Sequence, residues 1–321
     1  MKRWIACLAV LAVAGCGGGG SNQAVREAEP ATPPASSSSP TPSESAAPPP
    51  APTKSVPSTS SPAKKPTPPK RAEGTPPLPT ATAKPGAPPA TGDRWIPRRS
   101  QAWQWQLSGP LDLSVDVPIY DVDGASTTAA QVSALHQKGR RVICYFNAGA
   151  AQKGDSYPES VLGKALEGWP DERWLDVRRL DVLEPIITRR IASCAAKGFD
   201  AVEPDNVDGY ANDTGFPLTA AHQLAFNRMV AGVAHRHGLA VALKNDLAQV
   251  AQLEPAFDFA INEQCAEYGE CAQLVPFVQA GKAVLHVEYN LEPAAFCAKT
   301  KVYGFSSMRK PENLGAARQP C

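Results

Sequence analysis

The sequence predicts an α/β fold, a single (β/α)8 TIM barrel preceded by a disordered Pro-rich tether. Three observations lead there. Short apolar strand-like runs alternate with helix-like runs, the order of a parallel α/β architecture. The clearest helix-like runs each stop at a glycine and are followed by a strand, the connection of repeated β-α units. Carboxylates and amides gather after the strands, on the C-terminal side each time, and in a barrel those ends converge on one mouth. Residues 93–321, about 229 in number, suit one such barrel.

The chain ahead of residue 93 reads differently. Residues 1–15 form an export signal: Lys2 and Arg3 give a positive start and Trp4 to Val13 a short apolar run. That run is too short to span a bilayer as a mature helix. Leu11-Ala12-Val13-Ala14-Gly15-Cys16 resembles a bacterial lipoprotein box, which implies cleavage before Cys16 and lipid on its thiol; ordinary signal cleavage near the same small residues is the alternative. Residues 16–92 form a linker holding 20 of the 33 prolines, mixed with Ser, Thr and Ala. So little apolar side chain cannot offset ordering entropy, so an extended spacer is expected.

Within 93–321 the strand-like runs are Trp103–Leu107, Val115–Asp121, Arg141–Phe146, Trp174–Arg178, Phe199–Asp205, Leu239–Lys244, Phe257–Asn262, Ala283–Glu288 and Val302–Ser306. The helix-like runs are Thr127–Lys138, Arg179–Lys197, Thr219–His237 and Gln273–Ala280, ending at Gly139, Gly198, Gly238 and Gly281. Nine strands exceed a barrel by one, so one of the first two, or Trp174–Arg178, lies outside the closed sheet. A doubly wound open sheet is the second choice, disfavoured because no Gly-rich phosphate loop follows any strand.

This part carries 23 Lys and Arg against 27 Asp and Glu, a net of −4. That balance argues against a nucleic-acid partner and is compatible with a cationic one. Its six cysteines in an exported domain read as three disulfides. Of fifteen connectivities, the expected set is Cys265–Cys271 as a local clamp, Cys297–Cys321 at the C-terminus, and Cys144–Cys194 by elimination. Zinc is a weak rival, since there is no CxxC and the histidines are scattered. No metal or cofactor is expected.

The densest group of acids is Glu203-Pro204-Asp205-Asn206-Val207-Asp208-Gly209-Tyr210, directly after an apolar strand. Strand alternation puts Glu203 and Asp205 on one side, Asp205 nearer the mouth and Glu203 a layer deeper, either catalytic or a buried support. Two carboxylates on different strands suffice for glycoside cleavage, one protonating the leaving oxygen and the other attacking the anomeric carbon or activating water. Asp205 and Glu263 are the natural pair; the plain alternative for Glu263 is an ion pair with Lys244. Tyr145, Glu203, Asn206, Asp208, Tyr210, Lys244 and Glu288 stand at the same strand ends and are candidate substrate contacts. Trp103, Trp105, Trp169, Trp174, Tyr120, Tyr145, Tyr210 and Tyr289 are candidates for stacking on sugar. Core is the plainer reading for one of the first two, and exposure is expected for Trp169 and Trp174. GxSxG and HExxH are absent. His286 reads as a satisfied core residue.

Together, Trp103-Gln104-Trp105-Gln106-Leu107, Tyr120-Asp121-Val122-Asp123, Cys144-Tyr145-Phe146, Trp174-Leu175-Asp176-Val177-Arg178, Val202 through Tyr210, Leu243-Lys244-Asn245-Asp246 and Asn262-Glu263-Gln264-Cys265 resemble glycoside hydrolase family 114, the endo-α-1,4-polygalactosaminidase-like TIM-barrel proteins. The resemblance covers residues 95–321. It implies a retaining endo-hydrolase of α-1,4-linked galactosamine polymers, with Asp205 as nucleophile, Glu263 as acid/base, and Asp121 and Asn245 binding substrate. Retention implies carboxylates roughly 5–5.5 Å apart. Asn147 and Ala148 depart from the Ser-Ala-Gly expected there. The partners implied are a polysaccharide and, through Cys16, a membrane, for a monomer outside the cytoplasm. A non-catalytic carbohydrate-binding lipoprotein, or a hydrolase of another cell-surface glycan, are the alternatives.

Overall fold

The computed structural model describes residues 94–321. The export signal, the lipid candidate Cys16 and the Pro-rich linker lie outside these residues.

The first strands are β1 (Trp103–Gln106), β2 (Ile119–Asp123) and β3 (Arg141–Asn147), with helix α1 (Ala129–Gln137) between the last two. A small accessory sheet follows: β4 (Ala150–Ala151), β5 (Leu162–Leu166) and β6 (Trp169–Leu175). Then come α2 (Leu180–Ala196), β7 (Ala201–Asp205), α3 (Ala220–Arg236), β8 (Ala240–Lys244), α4 (Val250–Leu253), β9 (Phe259–Glu263), α5 (Val275–Gln279), β10 (Val284–Glu288), α6 (Pro293–Tyr303), β11 (Ser306–Arg309) and β12 (Gln319–Pro320). Eight strands run parallel in the order β1-β2-β3-β7-β8-β9-β10-β11, and β12 adds antiparallel to the last. This is a mixed α/β fold with a curled parallel sheet.

The seam between β1 and β11 is tied from outside the ladder. The Trp103 indole donates to Ser306 O at 2.8 Å, the Gln104 amide to Ala316 O at 2.7 Å, and Leu107 N to Leu314 O at 2.9 Å.

Alternation along the strands makes two apolar layers. Trp103, Trp105, Ile119, Ile143, Ala201, Ala242, Ile261, Val287 and Met308 fill the barrel interior. Val122, Val142, Val202, Val241, Leu243 and Ala260 pack outward against Val132, Ile187, Ile191, Phe226 and Val230 of the helices. Thr128 and Thr219 cap α1 and α3 through capping boxes. The sulfurs pair as Cys144–Cys194, Cys265–Cys271 and Cys297–Cys321. Among the described residues no helix is long and apolar enough to cross a membrane.

Several boundaries differ from the sequence reading for physical reasons. The surplus strand is the Trp174–Arg178 run: it begins as the end of β6, antiparallel to β4 and β5, outside the barrel. The run from Val115 does not become strand until Ile119, after Pro118, which has no N–H to give a ladder. Val302, 84% exposed, belongs to α6 rather than a strand; Gly304, at φ 73°, ends that helix and β11 starts at Ser306. The Gln273–Ala280 helix is a 3-10 turn over Cys271–Leu274 followed by the short α5.

Candidate active site

The interior face carries the chemistry. By two-residue alternation Asp121 follows Ile119, Tyr145 follows Ile143, Glu203 and Asp205 follow Ala201, Lys244 follows Ala242 and Glu263 follows Ile261. All six side chains therefore converge on the axis at the C-terminal end.

Lys244 is the hub. Its buried ammonium lies 3.0 Å from Asp205 Oδ1, 3.3 Å from Glu263 Oε2 and 3.2 Å from Glu203 Oε1, and 4.8 Å from the centre of the Trp105 ring. Burial would strip its proton, but the three carboxylates outweigh it and raise its pKa. Because both contact one nitrogen, Asp205 Oδ1 and Glu263 Oε2 are at most 6.3 Å apart, the two contacts laid end to end.

Each of the two mouth carboxylates has its own tyrosine. Tyr145 Oη donates to Asp205 Oδ2 at 2.8 Å, and Tyr289 Oη donates to Glu263 Oε1. Burial raises both phenols well above their usual value, which keeps them donors. Burial alone would raise Asp205 as well; the Lys244 charge and the bonds from Tyr145 and Lys244 overcome it and hold Asp205 below the usual carboxylate range. Asn245 steadies Glu263, donating to its Oε2 at 3.0 Å and accepting from its backbone N–H at 3.0 Å.

Asn206, Asn245 and Gln264 directly follow Asp205, Lys244 and Glu263, and all three are left-handed, at φ 58°, 49° and 60°. Three neighbouring strands thus turn sharply just past the residue that faces the axis. Strained backbone of this kind concentrates at functional sites. Gly149 is required beside the first turn: a Cβ there would meet Asn206 O at 1.7 Å. The Ala148 and Gly149 amides both donate to Asp205 O. Asn147, the departure from the family pattern, is wholly buried and joins the barrel to the accessory sheet, donating to Glu172 Oε2 at 2.8 Å and accepting from Ala150 N at 2.9 Å.

A second acidic group adjoins the mouth. Burial and the Asp205 charge push Asp208 up to about 6, and burial with Asp208 pushes Asp246 up to about 8. Asp246 accepts from Asn227 at 3.0 Å, and burial, helped by the Asp246 charge and hydrogen bond, pushes the Tyr210 phenol up to about 12.

Some expected contacts are relocated. Glu288 shares the outward face with His286, is wholly buried, and accepts from His286 at 2.8 Å and from Ala266 N at 2.8 Å; it holds the loop after Glu263 and cannot reach the mouth. Asp121 and Glu203 have no exposed surface and lie beneath the mouth, out of reach of a sugar. Tyr120 is outward, its hydroxyl bonded to Val115 O. Trp103 and Trp105 are both interior core, and Trp174 is buried within the accessory sheet against Ala150 and Leu166, whereas Trp169 is 48% exposed. His286 and Cys265–Cys271 cluster closely, but the sulfurs are spent in a disulfide and cannot ligate as thiolates.

The sequence reading passed over the hydrogen-bonding role of Tyr289, the accessory-sheet carboxylate Glu172, and Asp246. Tyr289 was visible by parity, two residues beyond the interior Val287. Glu172 carried no such signal, since only tertiary packing brings it to Asn147.

A curled parallel sheet with paired carboxylates at its C-terminal mouth is an arrangement that suits glycoside hydrolysis. The chain belongs to glycoside hydrolase family GH114, whose model matches residues 84–321. A crystal structure of Aspergillus fumigatus Ega3 in complex with galactosamine is 34% identical over 72% of this chain and 99% of that one, with a TM-score of 0.68. The glycoside hydrolase domain of PelA from Pseudomonas aeruginosa, 14% identical over 69% of this chain and 98% of that one at a TM-score of 0.55, shares the fold. No curated protein matches.

Proposed function

We propose that this protein is an extracytoplasmic, lipid-anchored endo-hydrolase that cleaves an α-1,4-linked galactosamine-containing polysaccharide with retention. Asp205 is the nucleophile and Glu263 the acid/base. The observation that carries this reading is the shared Lys244, which holds one oxygen of each carboxylate within 6.3 Å of the other. Retaining pairs stand about 5–5.5 Å apart and inverting pairs about 6.5–9.5 Å. Asp205, held ionised, attacks the anomeric carbon as Glu263 gives its proton to the leaving oxygen. Glu263 then takes a proton from water, whose oxygen displaces Asp205.

Two further observations favour a cationic glycan: the −4 balance of residues 93–321, and the galactosamine in the complex of the 34% identical structure. The export signal, Cys16 and the Pro-rich linker of the sequence supply the anchor and spacer.

Partly deacetylated polygalactosamine is the substrate to test. Wild type should release oligosaccharides whose new reducing ends carry the α configuration when first seen by NMR. Glu263→Gln should lose about 10²–10⁴-fold on polymer yet keep most of its bond-cleaving step on an aryl glycoside whose leaving group needs no proton. Asp205→Asn should lose both. A β-configured first product would overturn retention, and full activity in both variants would overturn the site. Cys16→Ser should abolish incorporation of labelled fatty acid.

A further inference from the structure

Asp121 stands apart from the other interior acids. Asp205 receives Tyr145 and Lys244; Glu263 receives Tyr289 and Asn245; Glu203 receives the Trp105 indole at 3.0 Å and lies against Lys244. Both Asp121 oxygens are buried without any N–H or O–H donor from another group. Its polar neighbour is Glu203, itself an acceptor. A buried carboxylate without donors costs several kcal/mol, whereas a carboxylic acid brings its own O–H. Two carboxyls in contact, with one proton between them, satisfy each other.

We propose that Asp121 is a positioning residue that carries a buried proton, donating it in a hydrogen bond to Glu203, so that Glu203 remains a single anion beneath Lys244. The ammonium is then held from below by Glu203 and from above by Asp205 and Glu263. This rests on the roles given to Asp205 and Glu263. Charge favours the proton, because Glu203, Asp205 and Glu263 already contact the one ammonium. With Asp121 ionised, the Asp121–Glu203 pair would carry two negative charges under Lys244 and draw it away from the mouth. Without Asp121, Glu203 would take a proton itself and release the lower hold on Lys244. The charged groups that act on Asp121 are Glu203 and Asp205 from β7 and Lys244 from β8, and Trp105 stands opposite it on β1. Among them only Glu203 is in hydrogen-bond contact with it.

The pair Asp121→Asn and Asp121→Ser tests this. The amide of Asp121→Asn replaces the acid's O–H, and kcat should come within about fivefold of wild type; Asp121→Ser leaves Glu203 without that donor, and kcat should fall about 10–100-fold. KM for the polymer should stay within about twofold in both, because Asp121 touches no sugar. Wild type should lose activity at alkaline pH when the shared proton leaves. Asp121→Asn has no such proton, so its alkaline limb should move upward. In the infrared, wild type without substrate at neutral pH should show a protonated carboxyl band that Asp121→Asn lacks.

Equal loss in the two variants, a rise in KM in place of a fall in kcat, or an unchanged band would overturn the proposal. If Asp121→Ser does not fold, the limb and the band of Asp121→Asn decide. The band is read without substrate, so it stands apart from the nucleophile assignment: an active Asp205→Asn would overturn that assignment and leave the band as evidence on Asp121.

Discussion

Two lysines stand at C-terminal ends of barrel strands, Lys244 at the end of β8 and Lys310 just past β11, and both are almost wholly buried, at 3% and 1% exposure. Burial pushes both toward the neutral amine, yet they come out on opposite sides of the usual value. Lys244 is raised, because Asp205, Glu263 and Glu203 surround it. Lys310 is lowered to about 8, because burial is unopposed and Arg318 adds a like charge. Its Nζ finds neutral acceptors alone, Gly315 O at 2.6 Å and Gln104 Oε1 at 3.4 Å. Depth is therefore not what marks the functional lysine; the carboxylates that share it are. Lys310 fastens the tail after β11 to β1, and Lys244 sets the field of the mouth.

The largest effect expected is from Lys244→Met. It leaves Glu203, Asp205 and Glu263 without their common cation, and removing one partner of a buried ionic group costs about 3–5 kcal/mol. Asp205 loses the positive charge that chiefly opposes burial, so its pKa rises and the acid limb of kcat/KM moves to higher pH. In wild type the lowered Asp205 contributes stability above its unfolded value, lost as pH falls through the lower folded value. The stability gap between wild type and variant, read by denaturant melts, should therefore be widest near neutrality and narrow in acid. A gap independent of pH would break the contrast between the two lysines.

Lys310→Met tests the other side of the contrast with the opposite sign. The folded value, about 8, lies below the unfolded one, so between about 8 and about 10.5 the unfolded chain binds more protons and wild-type stability rises with pH. Relative to Lys310→Met, wild type should gain about 2–3 kcal/mol from pH 7 to pH 10. A loss over that range would mean that Lys310 has an anionic partner after all.

What separates these lysines also explains how much the sequence could tell. The barrel was legible because alternating runs and helix-ending glycines are local signals, and β7, β8 and β10 begin and end close to where hydrophobicity puts them. The exceptions, β2 and β11, were displaced by single residues: Pro118, which cannot donate, and Gly304, which ends α6 inside an apolar run. At the mouth, Asp205, Lys244 and Glu263 meet because each sits on the interior parity of its strand. Glu288 fails by one residue, since a one-place step along a strand turns a side chain to the other face. Lys310 follows the interior Met308 and shares the parity of Lys244's own face, so parity cannot tell the two apart. Their difference lies in neighbours contributed by other strands, and so do the proton-sharing of Asp121 with Glu203 and the reach of Glu172 to Asn147.

The smallest expected effects sharpen the picture of Lys244 itself. Its upper hold has two halves, Asp205 with Tyr145 and Glu263 with Tyr289. Tyr145→Phe and Tyr289→Phe each delete one hydrogen bond to a charged group, worth about 1.5–3 kcal/mol, or roughly 10–100-fold in rate where the bond persists in the transition state. The variants should nevertheless differ. Tyr145 helps hold Asp205 down, so Tyr145→Phe should raise the acid limb of kcat/KM on polymer and on an activated aryl glycoside alike. Tyr289 acts on Glu263, the carboxyl proposed above to serve the leaving group, so Tyr289→Phe should slow polymer cleavage while sparing the activated glycoside. Identical pH profiles and identical losses on both substrates would mean that Lys244 binds the two carboxylates into one titrating unit, and that the division of labour between Asp205 and Glu263 does not survive at the level of single hydrogen bonds.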